Sequence, residues 1–207
     1  MKPLNFLITA GPTREFLDPI RYISNRSSGK IGYALARAAA RRGRVTLVSG
    51  PVALKPPAGI TVVPVTTAAE MAREVFRRYR QADIVIMAAA VCDFRPRRVA
   101  GQKIKKQKFD GRLNVVPTVD ILAELGKRKR RQILVGFAAE TDHLERNAVE
   151  KLRRKKLDLI VANDARAFDS DTNRVVIIGR GTREKLPEMS KARVAVEIVK
   201  RAIAARA

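Results

Sequence analysis

Tryptophan is absent from this chain of 207 residues, and cysteine and histidine occur once each. The lone Cys92 excludes an internal disulfide, and no cysteine cluster of metal-binding spacing exists. A single His143 cannot build a histidine metal site. Aromatic residues make up 5% of the chain and do not interleave with its basic runs, so stacking platforms for single-stranded nucleic acid are missing. No apolar run approaches the ~20 residues of a transmembrane helix. No signal-peptide pattern precedes the first apolar run. These are the features expected of a soluble, cytoplasmic protein.

Negative charge is also scarce. Against 20 Asp and Glu stand 43 Lys and Arg, for a formal net charge of +23. Two readings stand for this excess: a surface for nucleic acid, or a solvated surface around a site for small anions. The densest runs, Lys127–Arg131 and Arg153–Lys156, fall at or within helical patterns, where cations near a carboxyl end are favourable. No specific nucleic acid is expected as a partner.

What is present is a regular alternation. Short apolar runs occur at Leu4–Ala10, Val45–Ser49, Ile60–Val65, Ile84–Ala90, Ile133–Ala138 and Leu157–Ala162. Such runs fit parallel strands buried on both faces. Two-faced helical patterns cover Lys30–Arg42, Ala68–Arg80, Val119–Arg128, His143–Lys155 and Lys191–Ala205. The segments Arg174–Gly179 and Arg183–Leu186 read as an antiparallel hairpin. The expectation is one α/β domain over residues 1–207, a three-layer α/β/α, Rossmann-like doubly wound and mostly parallel sheet, with that small hairpin near the C-terminus. Asp93–Gly111 fits no element. It is long and basic, and reads either as a mobile flap over a ligand or as a solvated excursion.

The most informative stretch runs from Ile8 to Gly32, ITAGPTREFLDPIRYISNRSSGKIG. A buried strand breaks at Gly11-Pro12, a polar loop follows, and Asn25–Lys30 leads into a helix. Free N–H groups at a helix start favour phosphate. The usual signatures fail here. Ile31 replaces the Ser/Thr of a P-loop and Ser24 its first glycine, and no G-x-G-x-x-G follows the first strand. Ser27-Ser28 lack a nucleophile elbow. Cys92 beside Asp93 reads as a small buried residue. His143 is expected on the surface in the first turn of a helix. Phe137, at a strand end, can stack on a base or belong to the core. Lys151 and Lys155, four apart on one helix face, can clamp a polyphosphate or face solvent.

Six segments in order resemble one family, phosphopantothenate–cysteine ligase: ITAGPTRE (Ile8–Glu15), DPIRYISNRSSGKIG (Asp18–Gly32), AAAVCDFRP (Ala88–Pro96), KIKK (Lys103–Lys106), VGFAAET (Val135–Thr141) and KKLDLIVAND (Lys155–Asp164). The resemblance implies a ligation in two steps. The carboxylate of 4′-phosphopantothenate attacks the α-phosphate of CTP, and the acyl-cytidylate is then attacked by the amine of L-cysteine. The SNRSSGKIG loop resembles the bacterial, CTP-dependent type. Mg²⁺ is implied with CTP, bound mainly through phosphates rather than in a protein cage. A homodimer is implied, with Ile20–Asn25 near its twofold. In many bacteria this unit is fused to a decarboxylase, so a decarboxylase domain or chain is an implied partner.

The resemblance also assigns residues. Asn25 matches the asparagine that contacts the substrate carboxylate and acyl intermediate, with Arg26 beside it as a substrate-binding position. Lys103 matches the catalytic lysine of the flap and also touches nucleotide. CTP-binding positions are Met87, Ala88, Ala89, Asp93, Val119, Asp120, Ile121, Leu122, Phe137, Lys151 and Lys155. Gly11, Ser27, Ser28 and Gly29 fit the phosphate cradle. Two departures stand out. Thr118-Val119-Asp120 lacks the family's proline, which loosens that turn, and Cys92 replaces a small residue, which suggests a thiol-sensitive site.

Overall fold

The computed structural model describes residues 3–140, 142–164 and 172–206. The chain opens with β1 (Leu4–Ala10), a hairpin of β2 (Arg14–Phe16) and β3 (Tyr22–Ser24), and helix α1 (Lys30–Ala40). There follow β4 (Gly43–Ser49), β5 (Thr61–Pro64), α2 (Ala68–Tyr79), β6 (Ile84–Met87) and β7 (Phe94–Pro96). A 3-10 turn at Lys106–Lys108 precedes β8 (Val115–Pro117), α3 (Ile121–Arg128), β9 (Ile133–Glu140), α4 (Leu144–Arg154) and β10 (Leu159–Asp164). The last elements are β11 (Thr172–Asn173), β12 (Val175–Gly179), β13 (Arg183–Lys185), β14 (Met189–Ser190) and α5 (Lys191–Ala204).

Eight strands form one sheet in the order β13-β12-β10-β9-β6-β1-β4-β5. From β10 to β5 neighbouring strands are parallel, whereas β12 and β13 close one edge antiparallel. Side chains alternate across it. Phe6, Ile8 and Ala10 of β1 face a core shared with α1 and α5, and Leu7 faces a second core under α2, α3 and α4. Ile84 and Ile86 repeat the first pattern and Val85 and Met87 the second. Both faces are covered, which is why these strands read as continuous apolar runs. The doubly wound expectation holds.

Each helix is placed by identifiable contacts. α2 starts with a capping box of Thr67 and Glu70, and Glu15 of β2 accepts a further bond from Ala68 N at 2.7 Å. Met71, Val75 and Tyr79, four apart, form its buried face. Val194, Ile198 and Ala202 repeat that spacing in α5. α1 lies close against β1, because a Cβ at Gly32 would stand 2.4 Å from the Cβ of Ala10.

Several boundaries differ from the sequence reading. The polar loop after β1 contains the β2–β3 hairpin, with Arg14 opposite Ser24. Asp93–Gly111 is not free of elements, since β7 pairs with β8 to make a two-stranded arm, Phe94 opposite Pro117. These strands are three residues long, and each exists only through its partner. Ala88–Ala90 leave the ladder beyond β6 and turn along the end of β1. Thr141, which closes the VGFAAET motif, lies outside the described residues.

Replacing Gly32 by alanine should push α1 off β1. Overpacking of this kind costs about 1–3 kcal/mol. Urea denaturation should show that loss for Gly32→Ala and near-neutrality for Arg37→Ala, on the exposed face of the same helix.

Candidate functional site

The strand order reverses between β1 and β6. The chain runs outward through β4 and β5 on one side, then returns to β6, β9 and β10 on the other. A crevice opens at the carboxyl ends of strands at such a point. Here the ends of β1 and β6 are joined by a short zipper. Thr9 Oγ1 accepts from Ala89 N at 3.1 Å and Thr13 Oγ1 from Cys92 N at 3.0 Å. Ala90 N donates to Gly11 O at 2.9 Å. Asn25 is tied to the same segment, its Nδ2 donating to Val91 O at 3.0 Å.

Above this floor lies a cleft of about 640 Å³. Its walls include the loop Asn25–Gly29, the start of α1, Ala88–Val91, Asp93, Phe137 and Lys151. Gly29 is the N-cap of α1 and adopts φ 74°, a conformation that glycine takes without strain. It offers no side-chain oxygen, and the first turn contains no acid. No capping side chain closes the start of α1, and the positive end of the helix dipole faces the cleft. By contrast, α2, α3 and α5 are closed by Thr67, Asp120 and Ser190. Arg26, Lys30, Lys151 and Lys191 add cationic groups to the same cleft. An uncapped helix start, four cations and an asparagine at the switch point suit a phosphorylated anion.

The sequence-predicted residues divide into two sets. The cleft brings together Asn25, Arg26, Ser27, Ser28, Gly29, Ala88, Ala89, Asp93, Phe137 and Lys151. Phe137 lines the cleft and also packs, partly buried, against the α1–α5 core. Lys151 donates to Phe137 O at 2.8 Å, which holds it at the wall. Gly11 sits beneath Gly29, and Met87 is buried under the floor, its sulfur accepting from Thr9 Oγ1 at 3.9 Å.

Lys103, Val119, Asp120, Ile121, Leu122 and Lys155 do not line the cleft. Ile121 and Leu122 are in the core, and Val119 is exposed. Asp120 caps α3 through Ala123 N at 3.0 Å and pairs with Lys155 at 2.7 Å, so these two charges satisfy each other. Burial pushes the Asp120 carboxyl up, but the bonds from Lys155 and Ala123 N outweigh it and leave the group below its ordinary value. Lys155 is the C-cap of α4, and both it and Lys151 act on the Asp120 carboxylate. His143 is the exposed N-cap of that helix.

Lys103 lies on the arm, exposed, next to a strong anchor. Asp18 is fully buried and accepts bonds from Ile20 N, from Arg21 N and its guanidinium, and from Ile104 N at 3.1 Å. Arg21 also donates to Ile104 O at 2.6 Å. The guanidinium of Arg21 holds the Asp18 carboxyl well below the usual range. The position of Lys103 is thus set by a hairpin residue far away in sequence.

Three further cleft residues carried no sharp sequence signal: Asn163, Asn173 and Lys191. Asn163 at a strand end was legible as polar, whereas Asn173 and Lys191 reach the cleft from the β11–β14 pair and the start of α5. Cys92 is 2% exposed, and burial pushes its thiol pKa up. Burial of this kind disfavours the reactive thiolate. A larger concavity of about 970 Å³ between the ends of α2 and α3 is lined by Arg77, Arg80, Arg128, Arg130 and Arg131. It lies at the opposite, amino-terminal ends of the strands. Its arginines complement helix carboxyl ends, and Arg128 stacks on Phe76 at 4.4 Å.

Comparison with known proteins gives the family and the fold. The family model described as DNA/pantothenate metabolism flavoprotein C-terminal domain matches residues 1–205. The coenzyme A biosynthesis bifunctional protein CoaBC of Bacillus subtilis is 52% identical over 200 residues, covering 93% of this chain and 49% of the relative. The chain spans about half the length of the curated relatives it matches. The crystal structure of a C-terminal domain of CoaBC has a TM-score of 0.85 at 43% identity, over 97% of this chain and 94% of that one. A Cab2 mutant complex with phosphopantothenate-cysteine has a TM-score of 0.82 at 18% identity, over 98% and 86%, a likeness of fold.

Two tests address the local chemistry. In the native protein the Cys92 thiol should react with a disulfide reagent far more slowly than in denaturant; a fast native reaction would contradict its burial. For Asp18→Asn the urea midpoint should fall. A depressed carboxylate stabilises the fold above the ordinary aspartate range and loses that effect as pH drops through its folded value. The gap between wild type and variant should therefore be constant from pH 8 to 5 and close below about pH 4.

Proposed function

We propose that this chain, which belongs to the DNA/pantothenate metabolism flavoprotein C-terminal domain family, is a phosphopantothenate–cysteine ligase domain that uses CTP. The carboxylate of 4′-phosphopantothenate attacks the α-phosphate of CTP, releasing diphosphate. The amine of L-cysteine then attacks the acyl-cytidylate, forming the amide and releasing CMP. The observation that carries this reading is the uncapped start of α1 opening, beside Asn25, into a cationic cleft at the switch point. The bifunctional coenzyme A biosynthesis relatives and the phosphopantothenate-cysteine bound in a protein of the same fold support it.

The residues suit these steps. The first turn of α1, with Ser27, Ser28 and Gly29, receives phosphate. Arg26, Lys30, Lys151 and Lys191 offset the charge of a triphosphate. Asn25 is held by Val91 O and offers its amide to the carboxylate and the acyl-phosphate without adding a charge. Asp93, at the cleft rim, is an acceptor for the nucleoside. Lys103, on the Asp18-anchored arm, approaches the phosphates when the arm, acting as a mobile flap, closes. Mg²⁺ bound with CTP would neutralise phosphate charge.

A homodimer completes the reading. Ile20 (61% exposed), Tyr22, Phe94, Val99 and Val115 place apolar surface on the β2–β3 hairpin and the β7–β8 arm. Such a concentration on two neighbouring elements calls for a partner, and a second copy fits. Because Asn25 ends that hairpin, the interface and the site adjoin. In the longer relatives a decarboxylase region is the natural further partner, and the setting is the cytoplasm.

The decisive experiment measures diphosphate release from CTP and Mg²⁺ with 4′-phosphopantothenate, with and without cysteine, and with ATP in parallel. Release should require phosphopantothenate, and CMP should appear once cysteine is added. No release from the folded protein with either nucleotide would refute the ligase reading. Asn25→Asp should lower turnover by about 100-fold or more without lowering the melting temperature. Light scattering should give a dimer at micromolar concentration and a monomer for Ile20→Asp.

A further inference from the structure

Asn173 differs from every other polar residue of the cleft. It is 7% exposed, it lines the cleft, and its Oδ1 has no hydrogen-bond partner. Among the described residues it is the only buried side-chain oxygen or nitrogen in that condition. Pairing of β11 with β14 sets Asn173 opposite Met189, two residues before Lys191 at the start of α5. Arg26, Lys30 and Lys191 line the same cleft beside the start of α1, which no side chain caps.

A buried amide oxygen without a donor is unfavourable, so one retained at a binding cleft calls for a donor brought by the ligand. Phosphate and carboxylate oxygens cannot supply it, because at neutral pH they only accept. A triphosphate does bring a donor with it. Magnesium seeks oxygen, gives up its waters reluctantly, and presents them as polarised O–H groups. A carboxylate here would cancel part of the cationic wall, whereas a neutral amide orients the ion and leaves that charge for the phosphates.

We infer that Asn173 Oδ1 receives the hydrated magnesium ion that accompanies the nucleoside triphosphate, accepting a hydrogen bond from one of its waters. The inference rests on the nucleotide-dependent reading above and adds a protein contact to an ion otherwise held by phosphates.

Calorimetric titration tests it, with CTP and with inorganic tripolyphosphate, each in magnesium and in EDTA, for wild type and Asn173→Ala. Magnesium should tighten CTP binding to wild type by about tenfold or more. Asn173→Ala should keep the EDTA affinity within about twofold and lose most of the magnesium gain, with tripolyphosphate behaving alike. An unchanged magnesium gain overturns the inference. An equal loss in magnesium and EDTA also overturns it, because the donor would then be an N–H or O–H of the nucleotide. The ligand-free variant should melt no lower than wild type, since an unpaired buried acceptor has been removed; a lower melting temperature would assign Asn173 a structural role instead. A wild type that shows the magnesium linkage but forms no phosphopantothenoylcysteine would refute the ligase reading alone. A wild type that binds neither ligand would refute both.

Discussion

Two buried threonine hydroxyls, those of Thr9 and Thr13, hold the end of β6 against the end of β1, and the geometry of the cleft depends on them. Beyond Met87 the chain has left the parallel ladder, so the N–H groups of Ala89 and Cys92 lack strand partners. The threonines supply acceptors where backbone carbonyls do not reach. The Thr118 hydroxyl, donating to Cys92 O at 2.5 Å, fastens the segment from the side of β8. Ser24 donates to Thr13 O at 2.8 Å and Asn25 to Val91 O, so the loop that leads into α1 is pinned to the same strip of backbone. A cleft built on loops is precise here because each loop is bonded to a strand end.

Charge follows a similar division of labour. Part of the cationic content is spent locally, on helix carboxyl ends and on short ion pairs. Arg77 and Arg78 attend Glu74, and Lys127 and Arg128 attend Glu124. Exposed pairs of this kind contribute little each, about 0.2–1 kcal/mol. α1 is the long helix at the switch point whose start has neither a capping side chain nor an acid in its first turn. Its polarity is directed into the cleft, where four cations add to it. A basic surface and an anion site are therefore compatible, and the former need not imply a nucleic acid.

The arm illustrates how a long basic segment is controlled. Its base is a two-stranded ladder, and its outer part is fastened at Ile104 by the carboxylate of Asp18. Asp18 is itself locked by Arg21 of the hairpin turn. One buried carboxylate thus couples two projections that also display apolar surface, Ile20 on one and Phe94 and Val99 on the other.

Local sequence by itself determined the layered α/β architecture. Continuous apolar runs at β1, β6, β9 and β10 require burial on both faces, and the spacing of Met71, Val75 and Tyr79 requires a one-sided helix. It also marked the loop Asn25–Gly29, because glycine and hydroxyl residues between a strand and a helix have a direct backbone meaning. Tertiary structure alone decided the rest. β2, β3, β7 and β8 are too short to declare themselves and exist through pairing. Asp120 and Lys155 are separated by 35 positions, and only folding revealed that they neutralise each other instead of facing the cleft. Asn173 and Lys191 enter the site from the two-stranded β11–β14 pair and from the last helix, and no local pattern marks them. Periodicity reports which face of an element is buried; it does not report which distant element buries it.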